Sequence, residues 1–166
     1  MNKHEPLMRE ALDLARTAMR LGEVPIACVV ARQGNVVGWG WNELNAKRDR
    51  TMHAEIAAFR DAAGRYPTDA EDLVLVCTLE PCIMCLGAAI LCGVSEVVYA
   101  IDAPADGGTK RVSKPDSPEA KFPSIIGGVM REEAIALFKE WIAAHFEDDA
   151  QRKFIDQLLT LNGVSH

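Results

Sequence analysis

The chain has 166 residues, 49% of them hydrophobic and 25% charged, with a net charge of −6 and a pI of about 5.2. That length fits one globular domain with a real core. The acidic balance argues against a broad basic footprint for nucleic acid, although a local basic patch can hide within an acidic total.

Residues 6–21 place Leu7, Ala11, Leu14, Ala15 and Ala18 at helical spacing, with Gly22 as C-cap. Residues 25–31 form a short buried-strand run. A turn at Gln33-Gly34-Asn35 then leads into residues 36–41, the second arm of a hairpin. Residues 53–63 read as a helix closed by Gly64, and 73–78 as a strand. Residues 81–92 read as a helix opened by Pro81 and ended by Gly93, and 94–101 as another strand. Half of the eight prolines fall in residues 102–123, where the pattern dissolves into a long loop of the kind that usually serves function. A short strand is expected at 124–130, then helices at 132–146 and 149–161. The whole chain reads as one α/β domain: a motif-bearing core over 1–101, the irregular loop, and a C-terminal strand with two helices.

Residues 85–94 are the longest apolar stretch, far short of a membrane span. The first six residues lack the apolar region of a secretory signal, so the expected location is cytoplasmic. Five cysteines without an export signal read as reduced thiols. Cys28 and Cys77 lie in apolar strand runs and Cys92 ends a helical pattern, so core packing is the reading for all three.

The other two cysteines belong to a split motif: His53-Ala54-Glu55, then 25 residues, then Pro81-Cys82-Ile83-Met84-Cys85. One imidazole and two thiols make a three-ligand zinc site with an open fourth position. Cys82 and Cys85, three apart at a helix start, share one face. His53 and Glu55, two apart, converge only in the first turn of a helix or its approach. Two helix N-termini aimed at one metal are therefore expected, and their positive ends favour thiolate. Taken singly, each piece has a plainer meaning. The Cys-x-x-Cys is also compatible with a redox pair, half a structural zinc ribbon, or a cysteine nucleophile paired with His53, and Glu55 with a purely structural role. Together they match the H-x-E…P-C-x-x-C signature of zinc nucleobase deaminases.

With Gly22-Glu23-Val24-Pro25-Ile26, Gly40-Trp41-Asn42 and Thr78-Leu79-Glu80 added, residues 7–101 resemble the cytidine-deaminase-like superfamily. Within it they are most similar to the bacterial tRNA adenosine deaminase branch and its guanine and cytosine deaminase relatives. The resemblance implies a three-layer α/β/α sandwich around a mixed sheet of about five strands, and a homodimer. It implies His53, Cys82 and Cys85 as ligands of one Zn²⁺ per chain, Glu55 as the catalytic proton shuttle, and Asn42 and the Ala54 backbone N–H as substrate contacts. The implied reaction is hydrolytic removal of an exocyclic amine, with release of ammonia. Without the family pattern Asn42 reads as an ordinary turn former. Trp39 and Trp41 share a strand face and read as packing.

The substrate is less legible. Tyr99 to Ile101 lead into Asp106-Gly107-Gly108-Thr109-Lys110-Arg111, where tRNA-acting relatives carry a small-residue loop. Residues 131–166 hold seven acidic against four basic residues where those relatives are basic. Lys110, Arg111 and Lys114 suit a single phosphate, but a solvated loop is the favoured reading. The charge pattern favours a small free base or nucleoside as partner, with tRNA adenosine as the alternative. The loop and the last two helices are expected to close over the pocket. Phe138, Trp141 and Phe146 offer an aromatic lid, with core packing as the stronger reading.

Overall fold

The chain folds in the order α1 (Glu5–Arg20), β1 (Ala27–Arg32), β2 (Asn35–Trp41), α2 (Leu44–Lys47), α3 (Ala54–Ala62), β3 (Leu73–Leu79), α4 (Ile83–Leu91), β4 (Val94–Ile101), β5 (Ser124–Ile126), α5 (Arg131–Ala144) and α6 (Ala150–Leu161). These coordinates are a computed structural model that describes residues 2–114, 116–119, 121–145 and 149–164. The strands form one sheet in the order β2-β1-β3-β4-β5. β1 runs antiparallel to β2 and β3, while β3, β4 and β5 run parallel, so the sheet is mixed.

Alternation along the strands builds the two outer layers, because successive side chains leave the sheet on opposite faces. Val29, Ala31, Val76, Val98 and Ala100 pack with the apolar stripes of α1, α5 and α6. Their sequence neighbours Cys28, Val30, Leu75, Cys77, Val97 and Tyr99 pack with α3 and α4. The expected three-layer sandwich is the observed one. Among the described residues, no helix is long and apolar enough to cross a membrane.

Phe138 and Trp141 are fully buried in the first of these cores. They are not lid residues, and Phe146 lies outside the described residues. Trp41 packs against the same core, whereas Trp39 is 46% exposed with the Arg65 guanidinium 5.3 Å over its ring. The last strand is shorter than residues 124–130. Beyond Ile126 the backbone turns: Gly127 lies against the Tyr99 ring, Gly128 has φ +82°, and Met130 takes a left-handed conformation to start α5. The short helix α2 was not expected; Arg48, at φ 52°, ends it.

The outer edge of the sheet is β2, and α3 reaches around to meet it. Asp61 accepts the Trp39 N–H at 3.2 Å, and Arg65 donates to the Val37 carbonyl at 3.1 Å while pairing with Asp61.

Two glycines on β2 set how closely α3 approaches. A Cβ on Gly38 would sit 2.5 Å from the Ala62 Cβ, and one on Gly40 would sit 2.5 Å from the Ala58 backbone nitrogen. The helix therefore lies directly on the strand, and its N-terminus reaches the end of β2 beside Asn42. Gly40→Ala must push backbone from backbone, and overpacking of this kind costs about 1–3 kcal/mol. Chemical denaturation of the variant is expected to show that loss; an unchanged midpoint would contradict the contact.

Candidate active site

Two helices begin at the same point. His53 is the N-cap of α3 with extended backbone (φ −75°, ψ 157°), which releases its side chain from the helical spiral. This is how a His-x-Glu pair converges: the histidine precedes the helix and Glu55 is its second residue. Cys82 is likewise the extended N-cap of α4 (φ −71°, ψ 173°), and Cys85 follows one turn on. The strand β3 delivers Cys82 through Glu80 and Pro81. The site thus lies at the C-terminal end of a parallel strand, where open α/β sheets place their crevices.

The three donor atoms form a nearly equilateral triangle. His53 Nδ1 is 3.5 Å from Cys82 Sγ and 3.5 Å from Cys85 Sγ, and the two sulfurs are 3.6 Å apart. A tetrahedral zinc with ordinary bond lengths requires about 3.6 Å between nitrogen and sulfur and about 3.8 Å between sulfurs. The donor set and its spacing fit that ion, and Nδ1 is the histidine nitrogen facing it. The hydrogen bond with Cys85, aided by His53, holds the Cys82 thiol down to about 4. That same contact and burial push Cys85 up. Both cysteines lie at a helix N-terminus, which favours the thiolate form that a metal ligand needs.

Glu55 is 4% exposed, and burial pushes its carboxyl up to about 7. Behind it Cys28 and Cys77 face each other as register partners across β1 and β3. Burial raises both thiols, Cys77 to about 11, so they stay protonated and act as core. The five cysteines divide by environment rather than by spacing.

A cavity of about 510 Å³ opens in front of this cluster. His53, Glu55, Cys82 and Asn42 all face it; Cys85 and Ala54 are buried beside them. The Ala54 N–H is the first of α3, among those that a helix itself leaves unspent. All six residues singled out in the sequence are thus brought to one place. Val24, Ile26 and Leu79 supply an apolar wall suited to the face of a base.

Other lining residues carried no motif. Phe154 and Gln151 come from α6, so the aromatic side chain at the mouth is neither of the α5 aromatics. Asp106 enters from the loop after β4, which Glu80 holds in place. That buried carboxylate accepts the Ala103 N–H at 3.0 Å and the Thr109 N–H at 3.1 Å, as well as the Thr109 hydroxyl. Gly107 and Gly108 are needed there: a Cβ on the first would lie 2.5 Å from Glu80 and on the second 2.8 Å from the Cys82 backbone. The consecutive glycines were the available signal. Lys110 lies 3.6 Å from Asp102, and Lys110, Arg111 and Lys114 are all exposed, in keeping with a solvated loop.

Residues 1–101 match the family described as the cytidine and deoxycytidylate deaminase zinc-binding region, and the chain belongs to that family. His53, Cys82 and Cys85 all lie within the matched zinc-binding region. Among curated relatives it is 38% identical over 144 residues to a tRNA-specific adenosine deaminase 2 of Xenopus laevis, covering 80% of this chain and 82% of that protein. It is 41% identical over 136 residues to a tRNA(Ile)-lysidine synthase of Deinococcus radiodurans, covering 80% of this chain but only 23% of that protein. The chain thus spans about a quarter of the length of the Deinococcus protein. Among solved structures, the guanine deaminase of Nitrosomonas europaea superposes with a TM-score of 0.64 at 26% identity, over 82% of this chain and 83% of that one.

Metal-replete expression should give close to one zinc per chain by elemental analysis. Cys82→Ala and Cys85→Ala are each expected to lose that zinc while circular dichroism still reports a folded chain. Stoichiometric zinc in either variant would remove the cysteine from the ligand set.

Proposed function

We propose that this chain deaminates adenosine to inosine in a tRNA anticodon, with His53, Cys82 and Cys85 as zinc ligands, Glu55 as proton shuttle, and Asn42 and the Ala54 N–H as substrate contacts. The observation that carries the RNA reading is a local basic patch at the cavity mouth. Lys47, Arg48 and Arg50 are all exposed on α2 and the turn after it, and Arg50 lines the cavity itself. A net charge of −6 conceals this patch, which is where phosphates flanking an inserted base would lie. The 38% identity to a tRNA-specific adenosine deaminase over most of its length supports the same choice.

Zinc supplies the means of making water nucleophilic near neutral pH, by lowering its pKa to around 7. The protein residues do the rest. Glu55 accepts a proton from the attacking water at its carboxylate and passes it to the ring nitrogen, then takes the remaining proton of the added hydroxyl and hands it to the departing amine. A carboxyl raised to about 7 can both take and return a proton at neutral pH. Val24, Ile26 and Leu79 hold the ring face, and the Ala54 N–H and Asn42 fix its edge. Ammonia leaves and a carbonyl remains at the ring carbon.

Glu55→Ala should retain zinc and fold yet lose turnover by at least about 10²- to 10⁴-fold. A kcat within tenfold of the parent is incompatible with this mechanism.

A free purine base such as guanine is the second reading. Its support is Asp106 at the cavity, the α6 wall of Gln151 and Phe154, and the acidic C-terminal third. Ammonia release from an anticodon stem-loop RNA, measured against adenine, guanine, cytosine and their nucleosides, separates the two. For the RNA reading, replacing Lys47, Arg48 and Arg50 together by alanine should weaken stem-loop binding at least tenfold. It should also flatten the salt dependence by roughly 0.7 in log–log slope per lost phosphate contact. Unchanged binding together with turnover of a free base decides for the second reading.

Assembly as a homodimer is part of the same proposal. Its support is the outward face of α4, where Ile83, Met84 and Leu91 are exposed, Leu91 by 89%.

A further inference from the structure

A buried carboxylate that does not line the cavity lies behind Asn42, which does. Glu23 is 2% exposed and follows Gly22, whose φ of +82° turns the chain out of α1 toward β1. Its Oε1 accepts the Ala46 N–H at 2.7 Å, and its Oε2 accepts the Asn45 N–H at 3.2 Å. The side-chain donor that meets it is the amide of Asn42, whose Nδ2 donates to Oε2 at 3.4 Å. Its main-chain carbonyl accepts the indole N–H of Trp141 at 3.2 Å, which anchors this segment to the core.

We propose that Glu23 is a positioning residue for substrate: it holds Asn42 in one amide orientation at the cavity wall. The inference rests on the reading of Asn42 as a substrate contact. A carboxylate has only acceptors, whereas an asparagine amide has a donor end and an acceptor end. Beside Glu23 only the NH₂ end is tolerated, so Oδ1 is turned away from the carboxylate. A free asparagine would populate both orientations, and a donor amide in place of Oε2 would favour the wrong one. Buried polar groups with one allowed arrangement preorganise a site in this way.

The same carboxylate braces the mouth. By accepting the Asn45 and Ala46 N–H groups it fixes the start of α2 and the run that ends in Arg50. Asn45 in turn exchanges two side-chain hydrogen bonds with Gln151 of α6, at 3.0 and 3.4 Å. Asn42, Leu44 and Gln151 all line the cavity, so three of its wall positions connect to one buried acid.

The test uses zinc-loaded protein and whichever probe the ammonia-release panel finds to be turned over, stem-loop RNA or guanine. Asn42→Ala comes first: a raised KM upholds Asn42 as a contact, and an unchanged KM removes that reading and the inference with it. Glu23→Gln is then expected to raise KM roughly tenfold with kcat within threefold and zinc content unchanged. Asn42→Asp sets a carboxylate against Glu23 and should bind worse than Asn42→Ala. Adding Glu23→Gln to Asn42→Asp should recover binding, because a glutamine can donate to the new aspartate. A brace that only stabilises the fold would lower the melting temperature of Glu23→Gln without that rescue. Should Glu23→Gln not accumulate as folded protein, Asn42→Asp against Asn42→Ala decides alone. If Asn42→Ala raises KM but Glu23→Gln leaves it unchanged, or if Asn42→Asp binds as well as Asn42→Ala, Glu23 does not position Asn42.

Discussion

The candidate site depends on two helices whose N-cap side chains meet, with His53 Nδ1 3.5 Å from Cys82 Sγ. Helix N-termini carry partial positive charge and unspent N–H groups, so α3 and α4 would repel at close range with nothing between them. Sulfur at this point offsets that cost: contact with Cys85 and His53 lowers the Cys82 thiol to about 4 at the start of α4. The approach is enforced from outside the site. Gly38 and Gly40 let α3 lie on β2 with no side chain between, and β3 fixes where α4 begins. The ligand triangle is therefore a product of backbone packing, not of flexible side chains reaching toward an ion.

Around that centre the site is framed by three buried acids with different partners. For Glu55 burial outweighs the backbone hydrogen bond and the nearby His53 that favour its charged form, and its carboxyl is pushed up to about 7. Glu23 and Glu80 are instead satisfied by backbone N–H groups, from residues 45 and 46 in one case and 103 and 109 in the other. Each of these two pins a segment outside the sheet, the start of α2 in one case and the loop after β4 in the other. A loop fixed by a buried carboxylate keeps its shape without regular secondary structure, because its N–H groups are paired inside.

Much of this was legible in the residues. Period-two and period-3.6 patterns located the sheet and the flanking helices, and the His53, Glu55, Cys82 and Cys85 spacing pointed to residues that the fold does bring together. What escaped had physical reasons. The strand at 124–130 was too long because Gly127 packs against Tyr99 and Met130 adopts a left-handed turn, and neither is a periodicity signal. Glu23 and Glu80 stood inside the motifs that carry the resemblance, but their roles rest on backbone partners more than 20 residues away, which the motifs do not encode. Phe154 escaped because its helix reads as amphipathic, with Ile155, Leu158 and Leu159 buried; only the packing of α6 over the cavity turns Phe154 toward the site. The net charge was read correctly but averaged over the surface, and averaging hides Lys47, Arg48 and Arg50 beside one opening.

The treatment of β2 has a consequence for how copies of this chain can meet. An unprotected edge strand offers a row of backbone donors and acceptors to any passing strand. Here Asp61 occupies the Trp39 N–H, Arg65 occupies the Val37 carbonyl, and the guanidinium lies over the Trp39 ring. At the opposite edge β5 has only three residues, too few to template another strand. Sheet-to-sheet fusion, the route by which many α/β domains polymerise or swap strands, is closed at both ends. Self-recognition is thereby left to side-chain surfaces, whose shape can be matched to a single partner geometry.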